Sequence, residues 1–296
     1  MKNDLLKVGL VQQACNDNRG ENWAATEVGI RSAATQGARL ILLQELHNGI
    51  YFCQNEDLAR FDDAESIPGP TTEFLGDLAQ KLHIVIVGSV FERRAPGLYH
   101  NTAVVLDADG SIAGSYRKMH IPDDPGFQEK FYFTPGDQGF NPIKTSVGNL
   151  GVLVCWDQWY PEAARLMALA GADLLLYPTA IGWDPKDDAD EKQRQRDSWI
   201  TIQRAHAIAN GVPVITCNRV GFEPNSKDKA NGIQFWGTSF IAGPQGEILA
   251  QAPDNATTAL VIPLDLRRNE HTRRIWPFFR DRRIDAYADL TKRYGK

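Results

Sequence analysis

Leu150-Gly151-Val152-Leu153-Val154-Cys155-Trp156-Asp157, followed closely by Pro161-Glu162-Ala163-Ala164-Arg165-Leu166, is the stretch whose reading decides the fold. The apolar run from Leu150 to Val154 reads as a buried strand that stops on a cysteine. Pro161 suits the first turn of a helix, and Glu162 beside it suits the positive helix end. A strand that ends on a nucleophile and turns into a helix is a nucleophile elbow. The thiol is then expected near a helix N-terminus and unpaired backbone N–H groups, a setting that lowers its pKa and prepares an oxyanion site. The same segment also fits a buried structural cysteine, because free Cys is often buried.

Composition narrows the classes of function. The chain has 296 residues, enough for one large α/β domain or two small ones. Hydrophobic residues make up 43% and charged residues 23%, as in a globular protein. The net charge of -5 lacks the basic excess that nucleic-acid binding needs. Met1 to Lys7 carries no apolar signal core, and no segment approaches the ~20 apolar residues of a membrane helix. Cys15, Cys53, Cys155 and Cys217 lie far apart, without C-x-x-C or metal-finger spacing. A reduced, cytoplasmic protein is expected. Asn255-Ala256-Thr257 matches a glycosylation sequon that has no role in such a chain.

Working outward from the elbow, strands alternate with helices on both sides. Predicted strands are 7–14, 39–43, 84–91, 102–106, 112–116, 173–177 and 212–217. Predicted helices are 18–36 with Asn18 as N-cap, 70–82, the elbow helix to about Gly171, and 190–210 stopped by Gly211. Asp109-Gly110 marks a hairpin. Residues 237–242, 246–251 and 257–263 read as a closing meander with Pro244-Gln245-Gly246 as a turn. The pattern calls for sheets covered by helices in a single domain spanning 1–296, its core about 7–264. The basic, aromatic tail 265–296, with Trp276, Phe278, Phe279, Tyr287 and Tyr294, is expected to pack on a partner subunit or fold back on its own chain.

A thiol nucleophile needs a proton acceptor and an oxyanion stabiliser. None of the six histidines sits in a thiol-protease signature, and no metal-ligand spacing is present. His120 reads as a supporting residue. Two charged residues stand at strand ends, where open α/β sheets carry their sites. Glu45 directly follows Leu40-Ile41-Leu42-Leu43, so poor solvation suits it to a general base. Lys118 follows the strand 112–116 and would stabilise a thiolate or oxyanion. Each alone also fits a surface charge or a local ion pair. The three together make a site.

With these residues in hand, the chain resembles a known family. Leu42-Leu43-Gln44-Glu45-Leu46, Tyr116-Arg117-Lys118 and Val154-Cys155-Trp156-Asp157, in that order, are similar to the Glu-Lys-Cys triad of the nitrilase superfamily, the carbon–nitrogen hydrolases. Glu129, within Gln128-Glu129-Lys130-Phe131-Tyr132-Phe133, matches that superfamily's second glutamate. The resemblance implies a four-layer α-β-β-α sandwich, homo-oligomers built from dimers, and no metal or organic cofactor. His120 to Gly126, Cys155 to Arg165 and Tyr177-Pro178-Thr179-Ala180-Ile181-Gly182 are similar to the N-carbamoylputrescine amidase subfamily, with Trp183 as a departure. That implies a small cationic ureido substrate.

Reading the residues for substrate charge leads the same way. A substrate carboxylate would call for an arginine clamp, and relatives acting on such substrates carry basic residues just after the cysteine. Gln158 and Trp159 stand there instead. Asp184, with Asp187, Asp123 and Asp124 as further candidates, and the aromatic faces of Trp156, Trp159, Trp183 and Tyr51 suit an alkylammonium tail. The acidic run 187–191 also fits a solvated helix start. Other ureido or amide hydrolases, such as β-ureidopropionase, carbamoyl-amino-acid hydrolase, ω-amidase or nitrilase, are alternatives. So are a silent binding protein on the same fold and a papain-like thiol hydrolase.

Overall fold

The computed structural model describes residues 5–295. The first half of the chain lays down β1 (Leu6–Gln12), α1 (Arg19–Thr35), β2 (Leu40–Leu43), α2 (Pro70–Leu82), β3 (Val85–Ala95), β4 (Leu98–Leu106) and β5 (Ile112–Arg117). Asn18 caps α1 by accepting from the N–H groups of Gly20 and Glu21, and Pro70 opens α2. Then follow β6 (Ile143–Thr145), β7 (Gly148–Val152), α3 (Pro161–Leu169), β8 (Leu174–Pro178), β9 (Gly182–Trp183) and α4 (Ala189–Asn210). The chain closes with β10 (Val214–Cys217), β11 (Val220–Pro224), β12 (Gly232–Trp236), β13 (Phe240–Ala242), β14 (Ile248–Gln251), β15 (Thr258–Leu264) and α5 (Arg267–Ile275).

Two six-stranded sheets result, in the orders β15-β1-β2-β3-β4-β5 and β14-β13-β10-β8-β7-β6. Their layering follows from strand periodicity. Along β2, Leu40 and Leu42 point into the core shared with the second sheet, beside Leu150, Leu174 and Ile215. Ile41 and Leu43 point the other way, onto Ile30 and Ala33 of α1 and Leu75 and Leu78 of α2. The helices α3 and α4 cover the outer face of the second sheet. The architecture is the expected α-β-β-α sandwich.

Two departures from the sequence reading have physical causes. The closing meander is not one sheet: β13 and β14 pair in the second sheet, whereas β15 crosses over and runs antiparallel to β1, Leu6 opposite Leu264 through Gln12 opposite Thr258. That crossing satisfies the open side of β1. Secondly, the stretch after Cys217 forms β11 and β12, which join β9 in a ribbon of order β11-β12-β9 that the sequence reading left without strands. Its glycines and the polar 225–231 turn mask the signal. The start of the tail takes the second of its two expected courses and folds back: Asn269 Nδ2 donates to the carbonyl of Asp173 (2.6 Å) and Arg273 Nε to that of Asn210 (3.1 Å). Beyond α5, Trp276, Phe278, Tyr287 and Tyr294 remain exposed.

Candidate active site

Glu45 leaves the end of β2, Lys118 leaves β5, and Cys155 follows β7 by way of Leu153 and Val154. Facing ends of the two sheets thereby bring residues far apart in sequence together. Cys155 adopts a positive φ of 41°, a conformation that a non-glycine residue holds only when its surroundings impose it. Asp157 imposes it here. One carboxylate oxygen accepts from the Val154 N–H (2.9 Å) and the Tyr116 hydroxyl (2.9 Å). The other accepts from the His120 N–H (3.1 Å) and lies 2.7 Å from its Nδ1. His120 stacks on Tyr160 and serves as a brace for the elbow.

Lys118 is fully buried between two buried carboxylates, with Nζ 2.8 Å from Glu45 Oε1 and 2.7 Å from Glu129 Oε2. Asn101 Nδ2 also donates to Glu45 Oε1 (2.6 Å). Glu45 Oε2 is buried without a hydrogen-bond partner among the described residues. Burial alone would push the lysine down, but the charges of Glu129 and Glu45 outweigh it and hold the ammonium well above its ordinary range. Burial pushes Glu129 up to about 7, against the pull of Lys118.

The elbow corrects one expectation. A short 3₁₀ turn, Cys155–Trp159, separates the thiol from the start of α3. Burial first, and then the charge of Glu45, push Cys155 well above the usual thiol range, and Lys118 opposes this only in part. The side chain rests as a thiol, donating to the Ala180 carbonyl at 3.6 Å.

Cys155 and Glu129, both buried, line a cavity of about 540 Å³. Trp156 and Trp159 wall it, together with Phe127 and Trp236, which sequence reasoning missed. Trp236 sits on the unpredicted ribbon, where Gly182 allows close packing: a Cβ there would lie 2.5 Å from the Gln234 carbonyl oxygen. Asp184, Asp187 and Glu191 line it from more exposed positions together with Arg194, whose guanidinium lies 2.8 Å from Glu191. Glu191 and Arg194 were also missed, because the acidic run reads equally as a helix start. Asp124 lines the cavity, whereas Asp123 is exposed outside the lining.

Two expected aromatic contacts are relocated. Tyr51 is fully buried and outside the lining, its hydroxyl donating to Glu129 Oε1 at 2.7 Å. Trp183 donates to the Lys192 carbonyl (2.9 Å) and packs on Trp236. Gln158 is fully buried, accepting from Trp199 Nε1 and donating to Thr179 Oγ1, so it turns away from any substrate. Among the described residues, no group of three or more His, Cys, Asp or Glu side chains is arranged to hold a metal ion, and no helix is long and apolar enough to cross a membrane.

Comparison with known proteins adds to this geometry. The carbon-nitrogen hydrolase family matches residues 7–274. The chain is 46% identical to N-carbamoylputrescine amidase of Solanum lycopersicum over 291 residues, covering 98% of this chain and 96% of that one. It is 43% identical to citrullinase of Francisella tularensis over 291 residues, 98% and 99% of the two chains. The crystal structure of a carbon-nitrogen hydrolase from Helicobacter pylori G27 superposes with a TM-score of 0.95 at 53% identity, covering 98% of this chain and 100% of that one.

Proposed function

This chain belongs to the carbon–nitrogen hydrolase family, and on that premise we propose that it hydrolyses N-carbamoylputrescine to putrescine, ammonia and carbon dioxide. The observation that carries the reading is the cavity's polarity. Its buried part holds a thiol and the carboxylate paired with the Lys118 ammonium, and its more exposed part holds Asp184, Asp187 and Glu191. A ureido group linked by a short alkyl chain to an ammonium matches both parts.

Because Cys155 rests as a thiol, its proton leaves as sulfur attacks the ureido carbon. Glu45 takes it on Oε2, the oxygen without another partner. Lys118 and the backbone N–H of Trp156 hold the developing oxyanion. Ammonia departs with the proton from Glu45, leaving a carbamoyl thioester. Glu45 then activates water, the thioester is cleaved, and the released carbamic acid loses carbon dioxide to give putrescine. Glu129 orients Lys118. At the far end Asp184, with Asp187 and Glu191 near it, holds the substrate ammonium, while Trp156 and Trp159 flank the alkyl chain.

A second reading is favoured by Arg194. A ureido α-amino acid such as citrulline carries an ammonium and a carboxylate at its far end, and the rim offers Asp184 to one and Arg194 to the other. The citrullinase relative fits this reading. The deciding experiment measures ammonia release from N-carbamoylputrescine, citrulline, β-ureidopropionate and butylurea. The highest kcat/KM is expected for N-carbamoylputrescine. Preference for citrulline would replace the first reading by the second, and preference for β-ureidopropionate would overturn both.

The proposal extends to assembly and setting. The exposed Leu166 and Leu169 of α3, and the aromatic tail beyond α5, fit a homo-oligomer built from dimers. The four free cysteines fit a reducing, cytoplasmic environment.

A further inference from the structure

Arg219 and Glu223 form an ion pair whose side chains are essentially unexposed, Nη1 lying 2.5 Å from Glu223 Oε1. Removing two charges from water costs several kcal/mol per ion, so such a pair is weak support for stability and asks for another explanation. Its remaining contacts supply one. Arg219 Nη2 donates to the carbonyls of Leu46 (2.6 Å) and Gly49 (2.7 Å), and Nε to that of Glu45 (3.4 Å). The other oxygen of Glu223 accepts from the Tyr51 N–H at 2.5 Å. The pair therefore grips the segment 45–51 at both ends. Glu45 starts that segment, Leu46 reverses it with φ 49°, and Tyr51 closes it with its hydroxyl on Glu129.

The contacts form a closed circuit, from Glu45 Oε1 through Lys118, Glu129, Tyr51, Glu223 and Arg219 back to the Glu45 carbonyl. We propose that Arg219 and Glu223 are positioning residues that set the two active-site carboxylates relative to each other by clamping the loop between them. The clamp rests on the reading of Glu45 as the base. Its chemistry is specific. The planar fork of Arg219 reaches three carbonyls and a carboxylate at once, which a lysine ammonium with its single nitrogen cannot do. Glu223 supplies two acceptor oxygens to two donors, whereas a glutamine would turn an N–H₂ group toward one of them.

The test uses Arg219→Lys and Glu223→Gln in the full chain, with rates expressed per folded protein recovered by gel filtration. Ammonia release from N-carbamoylputrescine gives kcat and KM. Iodoacetamide alkylation of Cys155, read on its peptide, reports activation of the nucleophile without substrate. Both variants are expected to lose about tenfold or more in kcat, since displacements on the order of 1 Å at a reacting centre can cost 10²-fold, with KM within about threefold. Cys155 alkylation is expected to slow in parallel. A kcat within about threefold of the parent in both variants, or a loss carried by KM, overturns the clamp. If Arg219→Lys does not fold, Glu223→Gln decides. If neither folds, the pair is a stability element and the proposal falls. Should the parent release no ammonia from this substrate, the functional reading fails instead, and the alkylation rates still judge the clamp.

Discussion

At the reaction end of the cavity, Glu45, Lys118 and Glu129 are fully buried, and each is held by at least one partner within 2.8 Å. At the rim, Asp184 and Arg194 stand in solvent, and among the described residues Arg194 holds only its neighbour Glu191, with side chains 64% and 41% exposed. One end is a fixed lattice of charges in a low-dielectric interior, where each contact is strong and each loss severe. The other is a screened, adjustable cluster in which one charge can stand in for another. Chemistry and specificity therefore differ both in how deeply they are built and in how large their mutational effects will be.

The sharpest break in this contrast comes at Cys155. Cys155→Ser should keep the fold, because the elbow is braced through Asp157 and not through sulfur. A serine proton is much harder to remove at neutral pH, so kcat should fall by at least ~10³, measured by ammonia release. Activity within about tenfold of the parent would sink the assignment of the nucleophile. Next come its neighbours. Glu45→Gln removes the base at constant size, and Lys118→Ala removes an oxyanion contact. Each should lower kcat on the order of 10²-fold or more, with a much smaller change in KM. An effect confined to KM would move that residue to the binding side of the comparison.

Sequence legibility divides along the same line. Glu45, Lys118 and Cys155 could be read because each ends a strand, where a polar residue after an apolar run has few structural explanations. Leu40 to Leu43 shows a strand covered on both faces, because four consecutive buried aliphatics need it, while the four-layer sandwich came from the family resemblance. The protonation state of Cys155 was not legible. It depends on burial and on the charge of Glu45, which arrives from another sheet. Arg219 and Glu223 were not singled out, because the backbone groups they grip lie at least 170 positions away. At the rim, Trp236 comes from a ribbon whose glycines and polar turn hide it, and Glu191 and Arg194 have the spacing of any solvated helix.

The resting state of the thiol gives a pH test of the buried end. Burial and Glu45 disfavour the thiolate, so its supply should still rise above the point where an ordinary thiol is ionised, at about pH 8.5. Without substrate, alkylation of Cys155 should keep climbing toward about tenfold per pH unit up to about pH 9.5. Levelling off by about pH 8 would mean that Lys118 and the elbow lower the pKa after all.

At the rim the expected effects shrink. A charged hydrogen bond to the substrate ammonium contributes about 1.5–3 kcal/mol when shielded, and less with Asp184 exposed. Asp184→Asn should therefore reduce the preference for N-carbamoylputrescine over butylurea by about tenfold, with the rate on butylurea nearly unchanged. An unaltered preference would hand the ammonium to Asp187 or Glu191.

Arg194 gives the smallest effect and the finest distinction. Its guanidinium neutralises part of the acidic rim through Glu191, so Arg194→Gln should leave more negative charge facing a cationic tail. An exposed pair contributes about 0.2–1 kcal/mol, and kcat/KM for N-carbamoylputrescine should rise by no more than about fivefold. For citrulline the sign reverses, because the same substitution removes the one cation available to its carboxylate among the residues lining the cavity. Opposite shifts on the two substrates, both carried by KM, would show a rim that sorts ureido compounds by charge while the buried end cleaves them alike. A fall of kcat on both would mean that Arg194 reaches the reaction end, and the division of the cavity into a rigid reactive end and an adjustable rim would fail.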